Sequence, residues 1–144
     1  MKNSLNPRKT TLLGLLMLST IFATAQQWSD YATVDGVKIY QTEVECRDSQ
    51  LPPQLAVLLK VENTTSQTIK IEWDLKIWYN DVEHKKDIAD GENHYTITLE
   101  PNQSIEGDCG TPNGALYIYK DFLIYEAKQK LTHFELSNIT VSLQ

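Results

Sequence analysis

Three histidines, His84, His94 and His133, supply every imidazole in this chain, and the first two bracket an acidic stretch running from Asp87 to Asn93. Asp87, Asp90, Glu92 and Asn93 offer the hard oxygens that Ca²⁺ takes, and Gly91 permits the bend that would fold them round an ion. The alternating D-x-D-x-D-G spacing of a wrapping loop is missing, and Lys85 and Lys86 stand close enough to repel a cation. A solvated connection between strands accounts for the same residues, so no metal or other cofactor is expected. His133 adjoins an alternating apolar run and is read as solvent-facing or structurally hydrogen-bonded. The chain has no H-E-x-x-H, no G-x-S-x-G and no glycine-rich phosphate loop. Any enzyme built from it would have to assemble its groups from distant positions, so the chain is read as non-catalytic.

Flat aromatic side chains are the other source of recognition chemistry, because rings on a sheet face can stack against sugars. Trp78 falls on the polar side of its alternating run, and Trp28, Tyr31, Tyr117 and Tyr119 could join it in a ligand face. Half-buried packing is the competing explanation for each ring.

The N-terminal segment says where such chemistry would take place. Lys2, Arg8 and Lys9 precede an uncharged run from Thr10 to Ala25, and Ala23-Thr24-Ala25 forms a small-x-small cleavage site. That is the pattern of a secretory signal peptide over residues 1–25, followed by one domain over residues 26–144. The leader's apolar core, Leu12 to Ala23, is shorter than the roughly 20 residues of a spanning helix, and no other stretch could cross a bilayer. No cysteine follows the cut, so no lipid anchor is expected there, and the product belongs in the periplasm or outside the cell. Cleavage leaves 10 basic against 19 acidic residues, a net charge of −9, which opposes nucleic acid and anionic lipid as partners. The two cysteines, Cys46 and Cys109, enter an oxidising compartment and are expected to form a disulfide.

Period-two alternation dominates the chain beyond the leader. From Thr68 to Tyr79, Ile69, Ile71, Trp73, Leu75, Ile77 and Tyr79 share one face while Lys70, Glu72, Asp74 and Lys76 share the other, the signature of a strand buried on one side. Leu55, Val57, Leu59 and Val61 alternate upstream, and the polar link from Asn63 to Gln67 predicts a hairpin between the two runs. A second hairpin is predicted from Tyr95-Ile97-Leu99 through Glu100-Pro101-Asn102-Gln103 to a short strand ending at Gly107. Phe134 and Leu136 lie on even positions, whereas Ile139, Val141 and Leu143 are odd, which requires a bulge near Ser137-Asn138. A similar slip is expected between Val37-Ile39 and Val44-Cys46. Residues 115–130 read as a strand followed by a short helix or a loop. Asn63-Thr64-Thr65, Asn102-Gln103-Ser104 and Asn138-Ile139-Thr140 match the glycosylation pattern, but under a leader of bacterial character they are read as turn and strand chemistry.

Seven strands result, at 37–46, 54–62, 68–79, 94–99, 103–107, 115–119 and 132–143, and they predict an all-β antiparallel sandwich, with a closed barrel as the alternative. In this layout the chain resembles the immunoglobulin-like and fibronectin III-like sandwiches of small exported bacterial proteins. Antibody-type domains place a core tryptophan one strand after the first cysteine and a tyrosine two residues before the second. Here a whole strand separates Cys46 from Trp73, and the second position is Gly107. The disulfide is therefore expected to staple the end of the first predicted strand to the loop after the fifth. The function expected is an exported, non-catalytic module acting through its surface on a protein partner, in an accessory, adhesion or assembly role. A carbohydrate-binding module using Trp78 against a glycan is the alternative, and a small hydrolase or hydrolase inhibitor the third. The C-terminal strand is a candidate open edge for strand addition.

Overall fold

The computed structural model describes residues 26–47, 51–84, 93–111 and 114–144, so the signal peptide expected at 1–25 lies outside the described residues. Nine strands are present among the described residues: β1 (Ser29–Val34), β2 (Val37–Cys46), β3 (Gln54–Asn63), β4 (Ile69–Tyr79), β5 (Val82–Glu83), β6 (His94–Leu99), β7 (Ser104–Glu106), β8 (Tyr117–Phe122) and β9 (Leu131–Leu143). They form two separate antiparallel sheets packed face to face, a sandwich and not a barrel. In sheet I, β1 pairs β2, β2 pairs β3, and the far side of β3 is shared by β7 at residues 60–62 and β8 at residues 54–58. In sheet II, β9 runs along all of β4, and the other side of β4 is shared by β6 and β5.

Alternation explains the core. Val37 and Ile39 of β2, Val57, Leu59 and Val61 of β3, and Ile69, Ile71, Trp73 and Leu75 of β4 meet between the sheets. Trp73 is the largest fully buried side chain among the described residues, 1% exposed. Removing this apolar surface from water is the main force holding the layers together.

The predicted bulge in the last strand is present. Thr140 faces Glu72 and Ser137 faces Asp74, so two residues of β9 oppose Trp73 alone, and Asn138 takes a positive φ of 52°. The similar slip expected in β2 is absent. Its register runs unbroken from Val37 opposite Asn63 to Cys46 opposite Gln54. Val44 and Cys46 therefore point to the outer face of sheet I, where they join Ala56, Leu58 and Tyr117 in a second small core. Two apolar faces, not a bulge, produced the change of phase.

Both predicted hairpins are corrected as well. β3 and β4 lie in different sheets, and so do β6 and β7; each polar link is a crossover between layers. Asn63, fully buried, ties the two links together. Its amide donates to the carbonyls of Gln67 (2.8 Å), Leu99 (3.2 Å) and Glu100 (2.9 Å). Its side-chain oxygen accepts from the Thr65 amide (2.9 Å) and hydroxyl (2.7 Å). The residue read as turn chemistry is a polar pin that lets the chain change layers without burying unpaired carbonyls.

Two strands escaped the sequence reading, β1 and β5. Each is half of a tight hairpin, closed by Asp35-Gly36 and by Asn80-Asp81, and all four residues have positive φ. Asp-Gly between alternating apolar residues is a strong hairpin signal, so β1 was legible. Between β8 and β9 the chain is loop, with no helix among the described residues. Among the described residues there is therefore no helix long and apolar enough to cross a membrane.

Candidate functional site

The outer face of sheet I carries a concave surface. Its floor begins with β3, where Ala56 and Leu58 are buried on the side away from the main core. Tyr117 and Tyr119 of β8 lie opposite Leu58 and Ala56, and the pairing then slips by one residue, so that Phe122 comes opposite Gln54. Without the slip, Phe122 would point to the other face. With it, three rings line one side of the strand. Tyr119 and Phe122 have centroids 5.2 Å apart and planes inclined at 58°; Phe122 and Tyr125 are also 5.2 Å apart, at 63°. The loop holding Tyr125 is anchored where the Leu123 amide donates to the Pro53 carbonyl at 2.9 Å. Leu51, Pro52 and residues 126–129 complete a cleft of about 620 Å³, within the range of ligand sites.

Two polar side chains are buried in this apolar wall. Gln54 is 3% exposed and Tyr117 5%; Gln54 Nε2 and Tyr117 Oη are sealed from solvent and make no well-formed hydrogen bond among the described residues, though the two side chains lie close enough to interact with each other. Burial pushes the Tyr117 phenol above its ordinary value, an effect partly offset by the nearby Gln54 amide. Burial and the charge of Asp121 do the same for Tyr119. Both phenols therefore stay protonated at neutral pH.

The disulfide borders the same region. Cys46 and Cys109, 63 positions apart in sequence, bond with Cα atoms 5.4 Å apart, stapling the end of β2 to the loop between β7 and β8, as expected. Such a bond is compatible with an oxidising compartment. The loop it holds also needs glycine at 107. The amide of Gly107 donates to Leu59 while Leu59 donates to the carbonyl of Leu116, each at 2.9 Å. A side chain at 107 would collide with that Leu116 carbonyl.

The five aromatic residues singled out from sequence do not converge. Tyr117 and Tyr119 line the cleft. Trp28 covers another part of the same face, with the Lys60 ammonium 5.9 Å from its ring centroid. Tyr31 packs against the main core, stacked on Phe134 at 5.5 Å, and its hydroxyl accepts from the Leu136 amide at 2.8 Å. That bond occupies a backbone donor of β9, the strand read as an open edge. Trp78 lies on the outer face of sheet II, half-buried beside His133 at 4.8 Å. Gln54, Phe122 and Tyr125 were missed; only the aromatic content of 122–125 could have hinted at them, since the bulge that aligns Phe122 has no sequence marker.

Of the candidate Ca²⁺ ligands, Asp87, Asp90 and Glu92 lie outside the described residues. Asn93 is described, and its carbonyl accepts from the Leu75 amide at 2.8 Å. His84 packs edge-on against Tyr79. Among the described residues no group of three or more His, Cys, Asp or Glu side chains is arranged to hold a metal ion.

His94 belongs to a polar cluster on the outer face of sheet II. Its Nδ1 lies 2.8 Å from Asp74, and its Nε2 lies 3.7 Å from Glu72. Asn138 donates to the other Asp74 oxygen at 2.7 Å. The hydrogen bond to Asp74 raises the His94 pKa. The Asn138 bond, followed by His94, lowers that of Asp74, and Lys70 chiefly lowers that of Glu72. The His94 contribution to stability is full below the ordinary histidine pKa and is lost as pH rises through the raised value. Those of Asp74 and Glu72 are present above the ordinary carboxylate pKa and are lost as pH falls through the lowered values. An NMR titration should place the His94 midpoint above about 6.5, and Asp74→Asn should bring it down; an unchanged midpoint in the variant would refute the pairing. The cluster is exposed and is a surface charge network of modest energetic weight.

No protein-family model matches the chain, and neither the curated proteins nor the solved structures contain a match to it.

Proposed function

We propose that the protein is an exported, non-catalytic binding module of immunoglobulin-like sandwich type, acting in the periplasm or outside the cell and holding its partner at the aromatic cleft of sheet I. One observation carries this reading: β8 and the loop after it bring Tyr117, Tyr119, Phe122 and Tyr125 to one cleft of about 620 Å³. Leu51 and Tyr125 expose apolar surface at the rim, extending the patch. The leader pattern and the disulfide support export.

Crosslinking the full chain, expressed with its own leader, in the cell envelope and identifying the captured species by mass spectrometry tests the proposal. Tyr125→Ala should abolish capture without moving the melting temperature, since Tyr125 is 51% exposed. Undiminished capture by Tyr125→Ala, together with loss in Trp78→Ala, would transfer the binding surface to sheet II and overturn the assignment.

A further inference from the structure

We infer that a second copy of this chain pairs with the distal part of β9, residues 139–143, in an antiparallel edge-to-edge dimer that joins sheet II of one protomer to sheet II of its partner. The contact is separate from the cleft of sheet I and does not depend on it.

The register fixes which backbone groups are open. The Gln144 amide donates to the Thr68 carbonyl at 3.1 Å, and Leu143, Ser142, Val141 and Thr140 follow opposite Ile69, Lys70, Ile71 and Glu72. Bonded and non-bonded pairs alternate in an antiparallel ladder, so Thr140 and Ser142 turn their N–H and C=O groups to β4 while Ile139, Val141 and Leu143 turn theirs away. The odd residues of β4 bond on its other side, as the Leu75 amide does to the Asn93 carbonyl at 2.8 Å. The outward groups of Ile139, Val141 and Leu143 have no partner among the described residues. Nearer the start of β9, Tyr31 covers the Leu136 amide, and the bulge with its positive φ at Asn138 interrupts the strand. The open edge is confined to residues 139–143.

Charge and side chains select a second copy as the occupant. Acidic residues outnumber basic ones 19 to 13 in the chain, so two copies repel over most of their surface. Every other edge strand among the described residues carries a charged or titratable side chain: Asp30 in β1, Glu83 in β5, His94 in β6, Glu106 in β7, Lys120 and Asp121 in β8. From Leu136 to Gln144 there is none, and no proline either, so the guards that natural edges use are missing here. About a two-fold axis through Val141, each outward N–H meets an outward carbonyl: Val141 pairs with its own equivalent, and Ile139 with the partner's Leu143. Ile139 and Val141 face the core, and Leu143, opposite the buried Ile69, is left 63% exposed. The pairing sets the partner's Ile139 beside it. On the other face Thr140 meets the partner's Ser142, a favourable cross-strand pair. Such an isologous contact uses both open edges and closes, so no fibre grows from it. Residues 139–143 are far fewer than the roughly 20–30 a side of a standard interface, which makes the dimer weak and reversible.

Sedimentation equilibrium of the full chain, expressed with its own leader, should show the average mass climbing from one chain toward two between micromolar and millimolar concentration. Amide exchange supplies the signature: Thr140 and Ser142 should be protected at every concentration, whereas Ile139, Val141 and Leu143 gain protection only as the dimer forms. Val141→Pro removes an outward N–H and leaves the Thr140 and Ser142 bonds to β4 in place; it should weaken self-association about tenfold or more. Where that variant fails to fold, Thr140→Lys combined with Ser142→Lys, both at exposed positions, sets like charges opposite each other across the axis and should weaken it similarly. A mass of one chain at every concentration overturns the proposal, as does a dimer that survives the two lysines. Concentration-dependent shifts confined to residues 117–125 would move self-association to the cleft and also overturn it. Protection of Ile139, Val141 and Leu143 by an envelope extract, with no self-association, would give the edge to a foreign strand and end the case for a second copy.

Discussion

Replacing Cys46 and Cys109 together by alanine lowers the free energy of unfolding by about 4 kcal/mol, the chain-entropy value for a loop of this length. The two cysteines are 63 positions apart, and the loop holds β3, β4, β5, β6 and β7 between its ends, so the unfolded chain gains the conformations the bond had denied it. Against a total of about 5–15 kcal/mol for a domain this is a large fraction, and the melting temperature should fall by on the order of 15 °C. Denaturant unfolding of the wild type with and without reductant provides the check. The reduced wild type and the double variant should coincide. A difference below about 1 kcal/mol would mean that the bond does not restrain the unfolded ensemble as the loop model requires. The effect should also reach the cleft. Cys46 pairs with Gln54 across sheet I, and Cys109 packs in the same outer cluster as Tyr117, so the double variant should bind the cleft ligand more weakly even at temperatures where it remains folded.

Asn63→Ala is the second large perturbation, expected to cost about 3 kcal/mol. The side chain is fully buried, and it satisfies the carbonyls of Gln67, Leu99 and Glu100 and the amide of Thr65. Truncation leaves several of these polar groups in an apolar setting, each worth about 1–3 kcal/mol when unpaired, with relaxation recovering part of the loss. Asn63→Asp sharpens the argument. A carboxylate would face three carbonyl oxygens, so the native state would hold its pKa above the ordinary aspartate value of about 3.9. Its destabilisation should grow as pH rises above that value and shrink on acidification, so that Asn63→Asp is worse than Asn63→Ala at pH 7 and recovers part of the difference near pH 4. Unfolding curves at the two pH values measure this. Equal stability of the two variants at pH 7 would show that the amide's donor side contributes little.

What the sequence determined by itself was what side-chain period carries, together with the pairing of its two cysteines. The alternation through Ile69, Ile71, Trp73 and Leu75 assigned the strand and its buried face, because a period of two admits only one arrangement on a half-buried sheet. The even-to-odd change between Leu136 and Ile139 required the bulge in β9, and export chemistry predicted the pairing of Cys46 with Cys109. Partner choice among strands was decided only by the tertiary structure. A polar link such as Asn63 to Gln67 is equally suited to a hairpin and to a crossover; the choice depended on Asn63 reaching Leu99 and Glu100, residues more than 30 positions away in the chain. The cleft was decided at the same level. Tyr117 and Tyr119 show their alternation in the sequence, but Phe122 joins them through a register slip against Leu55 and Ala56, and Gln54 is buried beside Tyr117 because β3 and β8 happen to be neighbours. Local patterns specify which face a side chain takes; which faces meet depends on long-range pairing energies that no local window contains.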